Sequence, residues 1–429
     1  MRPRDKEFKV TYIGGGSMFV PSIANGIVWS MQRNGVFDLN LCLYDINPEK
    51  AERMCKYIDI LNKPIKSLKS QSAYTLDSAL DQADLIIVSV ALYDKYRAVE
   101  KELESANVKL SGVIYETLSE AIATAPYFYN LSASIKKICP EATLITLVNP
   151  TDIMSLYLSM LGIRSAGACV EVEGLRGALS YYLHVPEESI EMTFAGVNHD
   201  GWTLALKING EDGYSSPWRQ KILKMSENPD FHPGNYGLLR IFELTGYLRS
   251  SAYHHPPFFF ESTPGVEEWA KWSGKRENYE KALEKALNEG KPIQDPEWIH
   301  PERSLLNYPG TGRAFGRLIS AMATGKQEIV PLQVRNCGAV SNIPSDACVE
   351  VPTLVKYEEF VPQQVGELPE WFGGITKLLA IQRKMMAEYL IDPSLEQLLR
   401  TVSVIPVFAS VERYLHYAKT LHSIYTRNK

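Results

Sequence analysis

Near the start of the chain, a short β-branched and aromatic run stops at three consecutive glycines, and this feature most constrains the fold. The run is Phe-Lys-Val-Thr-Tyr-Ile at 8–13, and Gly-Gly-Gly-Ser follows at 14–17. A helix-compatible segment continues to about Met31. A strand, a glycine turn and a helix in this order place the helix N–H groups where they can bind a pyrophosphate. The beginning of the chain therefore predicts a nucleotide-binding βα unit.

Strand-like and helical segments alternate through the first half of the chain. The strand-like runs are 41–44, 83–90, 142–148 and 166–170, and the helical runs are 49–61 and 121–139. The run at 83–90, Ala-Asp-Leu-Ile-Ile-Val-Ser-Val, is almost continuously apolar, which is typical of a strand buried on both faces. The alternation predicts an α/β fold with a Rossmann-like, doubly wound parallel sheet.

The pattern changes after about residue 200, where helical segments mix with irregular aromatic and proline-rich pieces. The segments 276–289 and 374–390 are helical in pattern, whereas Tyr-His-His-Pro-Pro-Phe at 253–258 is irregular. A chain of 429 residues is too long for one compact core. We therefore predict two packed domains, a nucleotide-binding Rossmann domain over 1–195 and an α+β domain over 196–429.

Composition and charge exclude several classes of protein. The formal net charge of -5 provides no basic surface for nucleic acid or an anionic membrane. No stretch approaches the roughly 18 uninterrupted apolar residues of a spanning helix, and the charged N-terminus lacks the apolar core of a signal peptide. The 6 cysteines have no paired spacing that would indicate a disulfide framework. These features predict a reducing, cytoplasmic setting.

The glycine loop and the end of the second strand indicate which nucleotide is bound. Gly14 and Gly16 occupy the first two positions of the dinucleotide fingerprint, with Gly15 and Ser17 beside them, whereas Phe19 stands at the third. Asp45 ends the second strand, where a carboxylate accepts hydrogen bonds from a ribose diol and repels a 2′-phosphate. The pattern favours NAD over NADP; the alternative is a glycine turn in an α/β protein that binds no nucleotide.

A cysteine and a histidine downstream of the nucleotide loop are candidate metal ligands. Cys169 follows a strand-like Ala-Gly-Ala, in the region where an open parallel sheet has its ligand crevice. His199 lies in Gly-Val-Asn-His-Asp-Gly-Trp at 196–202. A thiolate and an imidazole suit a borderline divalent ion. From the residues alone, Cys169 can equally be a small buried hydrophobe and His199 a packing residue.

Several motifs occur in an order that resembles the family 4 glycoside hydrolases. They are Gly-Gly-Gly-Ser at 14–17, Asn-Pro at 149–150, Cys169, Gly-Val-Asn-His at 196–199 and Val-Glu-Val-Pro at 349–352. The last two are much more specific than the glycine loop, and the similarity covers nearly the whole chain. The resemblance implies an NAD- and manganese-dependent glycosidase, or one using another divalent metal, with a fold like that of lactate and malate dehydrogenases. It also implies a homodimer or homotetramer.

The resemblance implies roles for individual residues. Cys169 and His199 match the metal ligands, and Asn149 matches an asparagine that contacts substrate hydroxyls. Ser-Ala-Tyr-His-His at 251–255 aligns with the segment that supplies the catalytic base, which makes Tyr253 the expected base. Glu116, in Gly-Val-Ile-Tyr-Glu-Thr at 112–117, is expected to act as an acid or to orient metal-bound water.

The substrate is the least constrained part of the prediction. Val170 follows the metal cysteine, where many members have histidine or asparagine, and Glu171 and Glu173 come next. Arg249 is a candidate for contacting a substrate phosphate or carboxylate, as is Arg97, although ion-pair roles are equally open to both. Because no phosphate-binding cluster is evident, we expect a non-phosphorylated hexoside or a uronide rather than a 6-phosphoglycoside.

The resemblance also implies a reaction route that differs from the carboxylate pair of most glycosidases. NAD⁺ takes hydride from C3 of the sugar, and the resulting ketone acidifies the proton at C2, which Tyr253 removes. The aglycone leaves, water adds, and the hydride returns to C3. Two alternatives are a plain NAD-dependent 2-hydroxy acid dehydrogenase and a protein that senses NAD without catalysis.

Overall fold

A computed structural model describes residues 7–110, 113–169, 171–229, 231, 236–249, 275–293, 310–405 and 410–428. The expected base Tyr253 and Val170, the residue after the metal cysteine, lie outside these ranges. No helix in the described part of the chain is both long enough and apolar enough to cross a membrane.

The first half of the chain forms a parallel sheet, as the sequence predicts, and the structure gives its strand order as β3-β2-β1-β4-β5-β6. Its strands are β1 Phe8–Ile13, β2 Leu39–Tyr44, β3 Leu68–Ala73, β4 Leu85–Val88, β5 Thr143–Thr146 and β6 Ser165–Gly167. Its helices are α1 Phe19–Asn34, α2 Pro48–Asn62, α3 Leu76–Leu80, α4 Tyr93–Ser105, α5 Val113–Ile138 and α6 Thr151–Met160. The strand order reverses between β1 and β4, where open α/β sheets bind their ligands.

The second half of the chain adds antiparallel strands and further helices. The strands are β7 Ile190–Val197, β8 Asp200–Ile208, β9 Glu211–Asp212, β10 Leu248–Arg249, β11 Glu328–Arg335, β12 Cys348–Lys356 and β13 Glu359–Pro362. The helices are α7 Glu171–Leu183, α8 Trp218–Leu223, α9 Tyr236–Thr245, α10 Lys275–Glu289, α11 Gly310–Thr324, α12 Glu370–Ile391, α13 Leu395–Ser403 and α14 Val411–Asn428.

The two sets of strands belong to one sheet of 13 strands within the described residues. Beyond β6 the order continues β11-β12-β7-β8-β10, all antiparallel. Gln333 pairs with Gly167 where the parallel part meets β11, and Glu350 pairs with Gly196 where β12 meets β7. The expected domain boundary at 195–196 falls within β7 and stays a prediction.

Several element boundaries differ from those expected. The helix expected at 121–139 begins at Val113, and the helix expected at 374–390 begins at Glu370. The strands β7, β8, β11 and β12 were not predicted. Strands β8, β11 and β12 each have at least one buried polar side chain or a proline, and β7 alternates apolar residues with Glu191 and Thr193, so all four lack the continuous apolar signal that marks β4 and β5.

Helix α1, which follows the glycine loop, is held by very close packing against α11. A Cβ atom at Gly26 would lie 1.7 Å from the carbonyl oxygen of Gly312. This is far inside van der Waals contact, so only glycine permits this approach of the two backbones. Since α1 is the helix that faces the nucleotide loop with its N-terminus, this contact positions the loop relative to the second half of the chain.

We expect Gly26→Ala to lower the free energy of unfolding by about 1–3 kcal/mol or more, because the helices must separate to admit the methyl group. Gly374 provides the control, because it lies within α12 with open space around its Cα. Gly374→Ala should stabilise the protein by about 0.5–1 kcal/mol through helix propensity. Urea denaturation of both variants measures the difference, and equal effects would contradict the packing argument.

Candidate functional site

A cleft of about 910 Å³ opens where the strand order reverses between β1 and β4. The predicted loop residues Gly14, Gly16 and Ser17 line it together with Asp45, and Ser89 borders it from the end of β4. Its other walls come from helices α2, α3 and α5 and from Tyr279 and Glu280 of α10. The cleft therefore lies at the position where this class of sheet binds a dinucleotide.

Gly14 has a backbone conformation that the tight turn requires. Its φ is 94°, and an added Cβ would lie 2.2 Å from the carbonyl oxygen of Ser89. The amides of Gly14 and Gly15 both donate to the Tyr44 carbonyl at 2.8 Å, which joins the loop to β2. The Ser17 hydroxyl lies 3.1 Å from that of Ser89. The loop is thus fixed between the ends of β2 and β4.

The Asp45 carboxylate lies between the glycine loop and α2. Its Oδ2 accepts from the Gly16 amide at 2.8 Å, and its Oδ1 accepts from the Asn47 amide at 2.9 Å. Each oxygen retains a further lone pair that can accept a hydroxyl hydrogen from a ribose diol in the cleft. Helix α1 has no acidic residue in its first turn, so its N-terminal dipole remains favourable for an anion.

A second group of functional side chains consists of Cys169, Glu171 and His199. One donor atom from each side chain lies within 4.8 Å of the other two. Cys169 follows β6, Glu171 begins α7, and His199 lies in the turn between β7 and β8. The structure therefore brings together the two predicted metal ligands and adds Glu171, whose position two residues after Cys169 was the available signal.

The turn that carries His199 has a constrained backbone. Val197 pairs with Asp200, so Asn198 and His199 form a two-residue hairpin connection. The φ of His199 is 60°, in the left-handed region that few non-glycine residues adopt. Such conformations cost about 1–3 kcal/mol and persist only where the surroundings enforce them.

Two buried arginines hold this turn. Arg383 donates to the Asn198 carbonyl at 2.6 Å and forms an ion pair with Asp152, which also accepts from the Asn198 amide at 3.2 Å. Arg249 donates to the His199 carbonyl at 2.8 Å and to Asp200 Oδ1 at 3.0 Å. Sequence reasoning missed Asp152 and Arg383, which are 231 residues apart.

The interior beside the cluster is rich in carboxylates. Glu350, of the Val-Glu-Val-Pro motif, is 1% exposed, and neither of its side-chain oxygens has a hydrogen-bond partner among the described residues. Burial, reinforced by the nearby carboxylates of Glu171 and Asp152, raises the pKa of Glu350 to about 8. Thiolate, imidazole and carboxylate donors beside further buried carboxyl groups fit a divalent cation.

The remaining predicted residues are placed as follows. Asn149 follows β5 at the carboxyl edge of the sheet, three residues before Asp152 of α6. Arg249 is 2% exposed and donates to the turn, so its expected contact with substrate stays a prediction. Glu116 lies in the first turn of α5. Burial and then the Glu100 carboxylate raise its pKa, whereas Lys109 lowers it.

The fold and the site together define a protein with a dehydrogenase-like sheet, a cleft at the strand-order reversal and a cluster of metal-ligand type. The family 4 glycosyl hydrolase profile matches residues 9–185, and the profile of the family 4 glycosyl hydrolase C-terminal domain matches residues 194–406. The chain therefore belongs to family 4 of the glycosyl hydrolases, which confirms the resemblance and the prediction of a glycosidase.

Relatives of several substrate classes are similar over most of the chain. An alpha-galactosidase of Bacillus subtilis (strain 168) is 24% identical, over 90% of this chain and 93% of the relative. An alpha-galacturonidase of Lachnoclostridium phytofermentans is 24% identical, over 91% of this chain and 88% of the relative.

Solved structures confirm the expected fold class. A 6-phospho-alpha-glucosidase from gut microorganisms, solved in complex with NAD and Mn²⁺, has a TM-score of 0.70 at 17% identity, covering 99% of this chain and 97% of that one. A lactate dehydrogenase from a Medee basin deep-sea metagenome library has a TM-score of 0.53 at 15% identity, covering 90% of this chain and 99% of that one. The dehydrogenase-like architecture is thus confirmed.

We expect Arg383→Met to lower the free energy of unfolding by about 3–5 kcal/mol, because it leaves the Asp152 carboxylate buried without a cation. Arg400→Met is the control, because Arg400 pairs with Glu396 on the surface and should cost no more than about 1 kcal/mol. Combining Arg383→Met with Asp152→Asn should recover part of the loss. A loss below about 1 kcal/mol in Arg383→Met, measured by urea denaturation, would show that the ion pair does not hold the turn.

Proposed function

We propose that this member of family 4 hydrolyses O-glycosidic bonds with bound NAD and a divalent metal, Mn²⁺ or an ion of similar chemistry. The observation that supports this most is where the two groups of residues lie. Cys169 follows the carboxyl end of β6, and the cleft lined by Gly14 and Asp45 lies at the carboxyl ends of β1 and β2. Because the carboxyl ends of parallel strands share one edge of a sheet, both groups lie along the same edge.

Residues of the cleft select the cofactor. We assign Gly14, Gly15, Gly16 and Ser17 to the pyrophosphate and Asp45 to a ribose diol. The Asp45 carboxylate would repel a 2′-phosphate, which favours NAD over NADP. The complex of the related 6-phospho-alpha-glucosidase with NAD and Mn²⁺ supports both groups for this chain. NAD supplies a hydride acceptor when it is bound.

Cys169 and His199 would hold the metal, which supplies a Lewis acid for the sugar oxygens when it is bound. Asn149 is assigned to the substrate hydroxyls, because it projects from the same sheet edge three residues before Asp152. Arg249 is also assigned to the substrate, which its guanidinium would contact while still donating to the His199 carbonyl. Fixing the left-handed backbone of His199 keeps its imidazole in one orientation before substrate arrives.

Proton transfer is assigned to Tyr253 and Glu116. Tyr253 would remove the proton at C2 of a sugar that has been oxidised at C3, and elimination of the aglycone would follow. Glu116 would act as the acid or orient water. The raised pKa of Glu116 supports an acid role, because a carboxyl group that keeps its proton nearer neutrality is a better donor.

The substrate is assigned as a non-phosphorylated hexoside or a uronide. The relatives named alpha-galactosidase and alpha-galacturonidase support this choice. The buried arginines near the cluster are also committed to carboxylates, Arg249 to Asp200 and Arg383 to Asp152. A panel of nitrophenyl glycosides with NAD⁺, Mn²⁺ and a reductant tests the assignment, and turnover of only the 6-phosphorylated members would overturn it.

The remaining proposals concern the whole protein. We propose a Rossmann domain over 1–195, and a second domain over 196–429 that binds substrate and metal and makes the oligomer contacts of a homodimer or homotetramer, with Cys169 of the first domain completing the metal site. The two profile matches, which end at 185 and begin at 194, support the position of the boundary. A reducing cytoplasmic location is supported by the 6 cysteines, all in the described part of the chain, none of which forms a disulfide.

Solvent deuterium at C2 of the product sugar tests the reaction route. Hydrolysis in D₂O should give product labelled at C2, because the proton removed there is replaced from solvent. Free product sugar incubated without enzyme is the control. Complete hydrolysis with unlabelled C2 would rule out C2 deprotonation, and net formation of NADH would instead indicate a plain dehydrogenase.

Tyr253→Phe tests the assignment of the base in the same assay. Turnover should fall by about 10²–10⁴-fold, which is the usual contribution of a general base. Tyr74→Phe removes a hydroxyl from an exposed tyrosine that donates to Glu52, and it should have the turnover of the unmodified enzyme. Similar turnover in both variants would remove Tyr253 from the mechanism.

A further inference from the structure

Glu171 belongs to the metal-ligand cluster, whereas Glu173, the other glutamate that follows Cys169, does not. Its side chain is 1% exposed, and its Oε1 lies 4.0 Å from His199 Nε2. Glu173, two helix positions further on, pairs with both Arg176 and Arg317. The two glutamates that follow the metal cysteine therefore have different roles, and only Glu171 offers an oxygen to the cluster.

The separations within the cluster suit a single ion. Bonds of about 2.0–2.6 Å from one ion to sulfur, nitrogen and oxygen place the donor atoms roughly 3–4.5 Å apart. The donor atoms of Cys169, Glu171 and His199 all lie within 4.8 Å of one another. Side-chain movements of a few tenths of an ångström would bring all three donors to a common ion.

The charge around Glu171 also calls for a cation. Asp152 is fully buried and Glu350 is 1% exposed, and both lie within electrostatic range of one another beside Glu171. Arg383 pairs with Asp152, and Arg249 pairs with Asp200. Glu350 has no hydrogen-bond partner for either oxygen among the described residues. Buried carboxylates in such numbers are stabilised by a bound ion.

We infer that Glu171 is a third protein ligand of the metal, in addition to Cys169 and His199. The inference rests on the proposed metal dependence and names a residue of this chain as part of that site. A carboxylate oxygen makes the donor set harder and more anionic, which favours Mn²⁺ relative to a site of thiolate and imidazole alone. It also lets the protein hold its ion before substrate binds.

Titration of the full-length protein with Mn²⁺ tests the inference without an activity assay. The electron paramagnetic resonance signal of free Mn²⁺ gives the dissociation constant of the unmodified protein and of each variant. Glu171→Met keeps the length and burial of the side chain but removes its oxygens, and should raise the dissociation constant at least about 10-fold. Glu350→Gln is the matched control, because it removes a nearby buried carboxyl group that is outside the cluster, and it should raise the constant clearly less than Glu171→Met does.

Two further measurements separate ligation from a role in folding. In EDTA, Glu171→Met should melt no lower than the unmodified protein, because the variant no longer buries a carboxylate beside Asp152 and Glu350. Its gain in melting temperature on adding Mn²⁺ should be smaller. With Co²⁺ the thiolate charge-transfer band of Cys169 should persist in Glu171→Met, while the d–d bands shift because a ligand has been lost.

The outcomes distinguish this inference from the proposed function. Unchanged Mn²⁺ affinity in Glu171→Met, together with loss of binding in Cys169→Ser, would overturn the role of Glu171 and leave the two-ligand site intact. Equal weakening in Glu171→Met and Glu350→Gln would reduce the role of Glu171 to charge and also overturn the inference. Failure of the unmodified protein to bind Mn²⁺ would overturn both the inference and the proposed metal dependence.

Discussion

The site depends on the buried ion pair between Asp152 and Arg383. Asp152 begins the helix after β5, whereas Arg383 lies in α12, and both bind the peptide groups of Asn198 at the tip of the β7–β8 hairpin. One charge pair thus joins the parallel part of the sheet, the antiparallel part and a late helix. Because charges removed from water must be compensated, Asp152 and Arg383 must stay in contact, and the elements that carry them are held together.

The consequence reaches His199, the next residue in the turn. Its left-handed backbone is unfavourable in isolation, and it is maintained because Arg383 holds the preceding carbonyl and Arg249 holds its own. The backbone from which the imidazole extends, beside Cys169 and Glu171, is thereby fixed before any ion binds. Burying such an ion pair adds little net stability, because desolvation offsets the attraction between the charges. Its effect is to position the turn that carries His199.

Local signals made the nucleotide part of the site predictable. Gly14 and Asp45 could be recognised because a turn of positive φ and a carboxylate at a strand end depend on nearby sequence. Cys169 and His199 emerged from motif order, and Glu171 was present two positions after Cys169 without being recognised as a donor. Asp152 and Arg383 could not be found, because their pairing arises only when segments 231 residues apart pack together. The antiparallel strands were missed for a related reason, since polar residues or prolines interrupt the apolar runs of β8, β11 and β12.

We propose above all that the described cluster binds a divalent ion at the sheet edge that also carries the nucleotide cleft. Crystals grown with Mn²⁺ and NAD⁺ test it by anomalous diffraction at X-ray energies on either side of the manganese absorption edge. We predict a single strong peak within about 2–2.5 Å of Cys169 Sγ, His199 Nε2 and a Glu171 carboxylate oxygen. No peak at this position, or a manganese peak held by other residues, would contradict the account.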